Sequence, residues 1–229
     1  MALQKSSNRY GKGKKMKNKQ LFLDFSMLGY HPEWCIMLDC SAAVVDVDKM
    51  LSTTPYTVKS AFATIKRFKL SIADQKELGY AVCPDGLAFW QTQPKAIIER
   101  TMKPSDKDLT VEQFTSKFID YLIPHGNIDT WWSWNSMDDA SILWRMFCDV
   151  KKENAIREYL PRWKSRDMCT FIDSKFDFGL KKLDIVPIND VEYWNNIFVK
   201  NDSTIDVMAN VLRMQAVLRS ENDLEIPQK

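Results

Sequence analysis

Three aspartates stand where a metal-dependent reaction would want them. Asp24 ends an apolar run, Leu21-Phe22-Leu23. Asp139 lies at the start of a helical segment, and Asp206 lies near the start of the last long one. Two-metal phosphoryl transfer needs several carboxylates converging from different elements, with about six oxygens around each Mg²⁺ and the ions roughly 4 Å apart. The metals neutralise the phosphate, generate hydroxide and hold the leaving oxygen. In an α/β fold, strand ends and helix N-termini commonly meet at one edge. Spacing alone does not prove such a site, because 30 acidic residues supply triplets of this kind by chance. Taken alone, Asp24 reads first as a polar residue closing a strand.

The elements that must position these groups follow from pattern. Apolar runs predict strands over about 20–25 and 35–46, joined by a Gly/His/Pro turn as a hairpin. Residues 57–70 fit helical spacing and alternation alike. Residues 71–78 read as a short helix stopped by Gly79, and a helix follows Gly86-Leu87-Ala88-Phe89-Trp90 up to Met102. Thr110 is a good N-cap for a helix with Val111, Phe114, Phe118, Ile119 and Leu122 on one face. Thr130-Trp131-Trp132-Ser133-Trp134 reads as a short strand whose Trp132 and Trp134 share a face under a helix. Helices are expected over 139–152, from Ser165-Arg166-Asp167-Met168 onward, and over 202–219, with an irregular Asn-rich connector at 185–199. Strands come first and helices after, which predicts an α/β or α+β layer fold with a mixed sheet and helices packed on it.

With 45% hydrophobic and 12% aromatic residues, the chain can bury a sizeable core and is not disordered. It has no apolar run long enough to span a bilayer, and its basic start lacks the apolar segment of a secretory signal. Five cysteines without a C-x-x-C pair read as reduced core thiols of a cytosolic protein. With His31 and His125 as the only histidines, a zinc site is not expected. Residues 1–18 form an aperiodic basic arm, and 19–229 form one domain. The first 20 residues hold seven cations and no acid against a whole-chain charge of +2, so residues 21–229 carry net −5. Lys12, Lys14, Lys15, Lys17 and Lys19 are candidate contacts for a phosphate backbone or an acidic protein surface; the other reading of the arm is a solvating tail.

The motifs resemble a known family. Leu21-Phe22-Leu23-Asp24-Phe25-Ser26-Met27-Leu28-Gly29, followed by the run at 35–46, looks like the first motif of the DEDD 3′–5′ exonucleases, His variant. Asn135-Ser136-Met137-Asp138-Asp139-Ala140-Ser141-Ile142-Leu143 looks like the second, and Asn201-Asp202-Ser203-Thr204-Ile205-Asp206 like the third. The similarity is strongest to the small exodeoxyribonucleases of tailed phages, and it covers about 19–219 in the right order. It implies an RNase H-like α/β fold, a mixed sheet flanked by helices. It also implies Asp24, Asp139 and Asp206 as ligands of Mg²⁺ or Mn²⁺. The departures are specific: the family's Glu falls on Ser26 and its general-base His on Asn201. A serine hydroxyl brings no charge to a site asked to hold two divalent cations. Asn201 cannot take a proton from water near neutral pH. Loss of a general base alone costs roughly two to four orders of magnitude in rate.

The reading that follows is an impaired exonuclease fold in a small phage protein of the host cytoplasm. It would act by binding host nucleic-acid machinery, such as an RNA-degrading assembly, through its acidic surface. A weak metal-dependent 3′–5′ exonuclease on single-stranded DNA or RNA is the alternative. A non-catalytic nucleic-acid binder led by the basic arm is the third. The surplus of Trp and Met over the needs of one core points to a partner surface, with a homodimer as one form of it.

Overall fold

The computed structural model describes residues 19–175, 191–197 and 201–222. Two strands start the chain: β1 (Lys19–Met27) and β2 (Met37–Asp46), antiparallel with Asp24 opposite Ser41 and Ser26 opposite Asp39. Both read as near-continuous apolar runs because both faces of the sheet are covered. α1 (Val47–Leu51) follows. The ambiguous 57–70 segment contains both structures. Thr57 and Ser60 form a capping box that opens α2 (Val58–Phe62), and the chain then enters β3 (Ile65–Lys69), antiparallel to β2. After α3 (Ile72–Glu77), Gly79 turns the chain at φ +87°, where only glycine avoids a Cβ penalty. The single helix expected up to Met102 is two, α4 (Pro84–Gln91) and α5 (Lys95–Thr101), because Pro94 cannot donate a helical hydrogen bond.

Thr110 caps α6 (Val111–Leu122) as its sequence predicts, reciprocally with Gln113. β4 (Thr130–Ser133) runs parallel to β1. α7 (Ser136–Asp149) starts three residues before Asp139, and α8 (Glu153–Tyr159) follows. The helix expected from Ser165 begins instead as a fifth strand, β5 (Ser165–Asp167), parallel to β4. Asp167 ends the strand and caps α9 (Met168–Asp173). α10 (Val191–Ile197) lies inside the segment read as irregular. α11 (Ser203–Glu221) is the last element. The strand order is β3-β2-β1-β4-β5, a mixed five-stranded sheet. No helix among the described residues is long and apolar enough to cross a membrane.

Alternation in the strands divides the core in two. Leu21, Leu23, Phe25, Cys40, Ala42 and Trp131 face α6 and α7. There Phe68 meets Phe114 and Phe118 edge-on, each at 5.7 Å between ring centroids. Such pairs add about 0.5–1.5 kcal/mol beyond area burial. Phe22, Ala43 and Val45 face α11 on the other side, with Trp132 and Trp134 packed at that cluster's margin. α11 is buried nearly all round, so its polar residues need partners. Gln215 pairs with both backbone groups of Tyr56 at 2.8 and 2.9 Å, and Arg219 donates to Met50 O and Ser52 O.

The thiols divide as well. Cys35, Cys40 and Cys83 are buried, but Cys148 is exposed and Cys169 half-exposed, so those two are not core residues. Trp90 and Trp144 are buried, whereas Trp34 and Trp163 remain on the surface.

Candidate functional site

A cleft of about 240 Å³ opens at the C-terminal end of β1. Asp24, Ser26, Asn201 and Asp206 line it, so the structure brings together residues 175 positions and more apart. Alternation places Asp24 and Ser26 on the α11 face of the sheet, where the first turn of α11 meets them. Asp206 lies in that turn, where the helix dipole favours a carboxylate. Tyr30, Phe89 and Trp90 form the apolar rim, and Tyr30 and Phe89 are exposed.

The floor is main chain. α4 docks on the end of β1 through Trp90 Nε1 to Met27 O at 2.7 Å and Cys83 N to Leu28 O at 2.9 Å. A Cβ on Gly86 would lie 2.4 Å from Gly29 N and 2.5 Å from Leu28 C, so only glycine permits this approach.

A buried polar network, which sequence reading missed, sets the position of α11. Asp39, 1% exposed, ion-pairs with Arg67 and accepts from Ser203 Oγ at 2.8 Å. Ser41 Oγ shares hydrogen bonds with Ser203 Oγ (2.7 Å) and Thr204 Oγ1 (3.2 Å). Asp202 caps the helix by accepting from Thr204 N at 2.9 Å, and Arg100 clasps its carboxylate at 2.5 and 3.3 Å. β2, β3, α5 and α11 are thus held by one set of charges and hydroxyls.

Asn201 has a conformational reason to be asparagine. Its φ is +63°, a left-handed position that Asn tolerates better than most residues, and its Nδ2 donates to Gln93 Oε1 at 2.6 Å. Asp139 is 5% exposed in the first turn of α7 and is not among the cleft's lining residues. It lies within electrostatic range of the Cys40 thiol. Burial pushes that thiol well up, and Asp39, Asp139 and Asp24 push it further. Arg213 is fully buried on α11, with its guanidinium 5.0 Å from the Trp134 ring centre. Burial brings its pKa down to about 10, and the Asp206 carboxylate partly opposes this. The field at Asp206 therefore already contains a fixed cation.

Lys12, Lys14, Lys15 and Lys17 lie outside the described residues. Lys19 is the first residue of β1, and its Nζ donates to His125 O at 2.7 Å, so its charge is engaged in the fold. His125 itself is half-buried, and burial first, then Lys19, lowers its pKa.

These residues do not fit a two-metal centre. Asp24 and Asp206 contribute two negative charges to the cleft, beside a neutral hydroxyl and a neutral amide, where two divalent cations bring four positive charges. Among the described residues, no three His, Cys, Asp or Glu side chains group closely enough to hold a metal ion. No reaction step through a metal follows from this arrangement.

Solved structures of E. coli exonuclease I share the fold. Its complex with a dT13 oligonucleotide aligns over 90% of this chain at a TM-score of 0.59 and 13% identity. The dA16 complex aligns over 90% at a TM-score of 0.59 and 14% identity. A complex described as ExoI/SSB-Ct aligns over 90% at 0.56 and 13%. The chain spans about two-fifths of the length of each neighbour, 42% in these three. The likeness shows the fold alone, an RNase H-like α/β arrangement of a mixed five-stranded sheet flanked by helices. No family profile and no curated protein matches the sequence.

Proposed function

We propose that this protein uses an exonuclease fold for binding rather than for hydrolysis. One observation carries the reading. Asp24, Ser26, Asn201 and Asp206 line one cleft, and in the motif resemblance Ser26 and Asn201 stand at the family's Glu and His positions. A hydroxyl and an amide supply neither the charge nor the base that water activation needs. The occupant class is a component of nucleic-acid metabolism, in line with the DNA-bound exonuclease I structures that share the fold. The net −5 of residues 21–229 suits a partner carrying a basic, nucleic-acid-binding segment, as in an RNA-degrading assembly of a phage host. Binding there would block the partner's access to RNA.

The test is a nuclease assay on end-labelled single-stranded DNA and RNA with Mg²⁺ and then Mn²⁺, with Asp24→Ala as the control. The expected result is no metal-dependent shortening by well-folded protein. Stepwise shortening from the 3′ end that disappears in Asp24→Ala would overturn the reading and restore the enzyme.

A further inference from the structure

β3 is an outer strand of the sheet, and its free edge is open only in the middle. Leu70 N donates to Leu38 O at 2.9 Å, which fixes the alternation. Lys66 and Phe68 turn their backbone groups toward β2, and Arg67 and Lys69 turn theirs outward. Lys69 O is taken by Leu109 N at 2.9 Å. Beyond the other end of β3, the Tyr121 hydroxyl accepts from Val44 N of β2 at 2.9 Å. Between these two closures, the N–H and C=O of Arg67 and the N–H of Lys69 have no backbone partner among the described residues.

A groove of about 680 Å³ runs along this edge, with α6 as one wall and the segment around Lys107 as the other. Arg67 is neutralised by Asp39, and Lys69 by Asp108 at 3.1 Å. Lys66, Lys107 and Lys117 are exposed and form no ion pair among the described residues, while Asp120 is the one acid among the groove's lining residues. Lysines on an edge strand commonly guard it against pairing. That role accounts for Lys66, but not for Lys107 and Lys117, which reach the same groove from other elements.

We infer that this groove binds an extended acidic peptide segment of a partner protein, which adds to the sheet as a strand beside β3. The peptide's main chain would meet the outward groups of Arg67 and Lys69, and its carboxylates would meet Lys66, Lys107 and Lys117. Lys66 shares a face with Phe68 toward α6, so the acids should recur at every second position. A nucleic-acid strand fits less well. Phe68 is 3% exposed, and Tyr121 is half-buried with its hydroxyl engaged, so the groove presents no fully exposed ring for base stacking. The guanidinium that could grip a phosphate in two places is held by Asp39.

The experiment uses the full chain and a fluorescent peptide alternating glutamate with valine, in three arms. The peptide should bind, and Lys66→Glu/Lys107→Glu/Lys117→Glu should weaken it by roughly tenfold or more. The same peptide with alternate amides N-methylated should lose binding to the wild-type protein, because it cannot form the ladder. Oligo-dT at matched charge should bind at least roughly tenfold more weakly than the peptide. Equal binding of the methylated peptide would overturn the inference, as would lysine-dependent binding of oligo-dT in preference to the peptide, or no peptide binding. The methylation arm involves no change to the protein, so it decides the matter even if the triple variant fails to fold.

Discussion

Removing the Asp39 carboxylate should loosen the whole junction between the sheet and α11. In Asp39→Ala, Arg67 loses its anion while remaining one-fifth exposed, and Ser203 loses an acceptor. Breaking a buried pair by deleting one partner costs about 3–5 kcal/mol, because the other charge is left without compensation. Water reaching Arg67 softens the penalty, and Ser203 keeps its bond to Ser41, so about 3 kcal/mol is expected. For a chain of this size each kcal/mol lowers Tm by roughly 2–4 °C, giving a fall of about 6–12 °C by circular dichroism. Adding Arg67→Met should recover most of that loss, because no isolated charge then remains. A fall of less than about 2 °C, or a further fall on adding Arg67→Met, would show that the ion pair does not clamp the helix.

Gly86→Ala should cost about 1–3 kcal/mol in urea unfolding, because the new methyl meets backbone rather than a side chain that can swing away. An unchanged unfolding midpoint would show that α4 shifts freely over the end of β1. Asp167 accepts from Thr170 N and Ser136 N. Burial raises its pKa, but these hydrogen bonds outweigh it and hold the carboxyl below the usual aspartate range. Its stabilising effect is therefore present above the unfolded pKa and is lost as pH falls through the lower folded value. The Tm gap between wild type and Asp167→Asn should accordingly close below about pH 3.8, and a gap that widens there would reverse the assignment. Ser26→Glu with Asn201→His should produce Mg²⁺-dependent shortening of single strands absent from the wild type. A folded but inert double variant would mean that the assignment of Ser26 and Asn201 to the family's Glu and His positions is wrong.

The parts of the fold legible in the sequence were those with strong local signals. β1 and β2 showed as long apolar runs, α6 as a capped amphipathic helix, and α11 as a sustained periodic segment. The ordered motifs assigned Asp24, Ser26, Asp139, Asn201 and Asp206 to one site; four of these line one cleft, and Asp139 is not among its lining residues. β5 was not legible, since three residues, Ser165–Asp167, show no period and borrow their conformation from β4. The pairing of Asp39 and Ser41 with α11 was equally hidden. Two polar residues inside an apolar strand carry no mark of partners more than 160 positions away. The edge groove depends on three lysines from separate elements, each of which alone reads as ordinary surface.

The placement of α11 has a consequence for how the protein is made. β1 and β2 emerge well before α11 in synthesis, yet one of their two faces is covered by that helix at 203–221. Until that helix is translated, Phe22, Ala43 and Val45 have no apolar cover from it, and Asp39 and Ser41 wait for Ser203. At about 5–20 residues per second, that interval is on the order of ten seconds or more. A nascent chain stalled before residue 203 should therefore expose the sheet to chaperones and to other chains. Conditions that slow elongation between β2 and α11 should then lower the soluble yield more than those that slow it after α11.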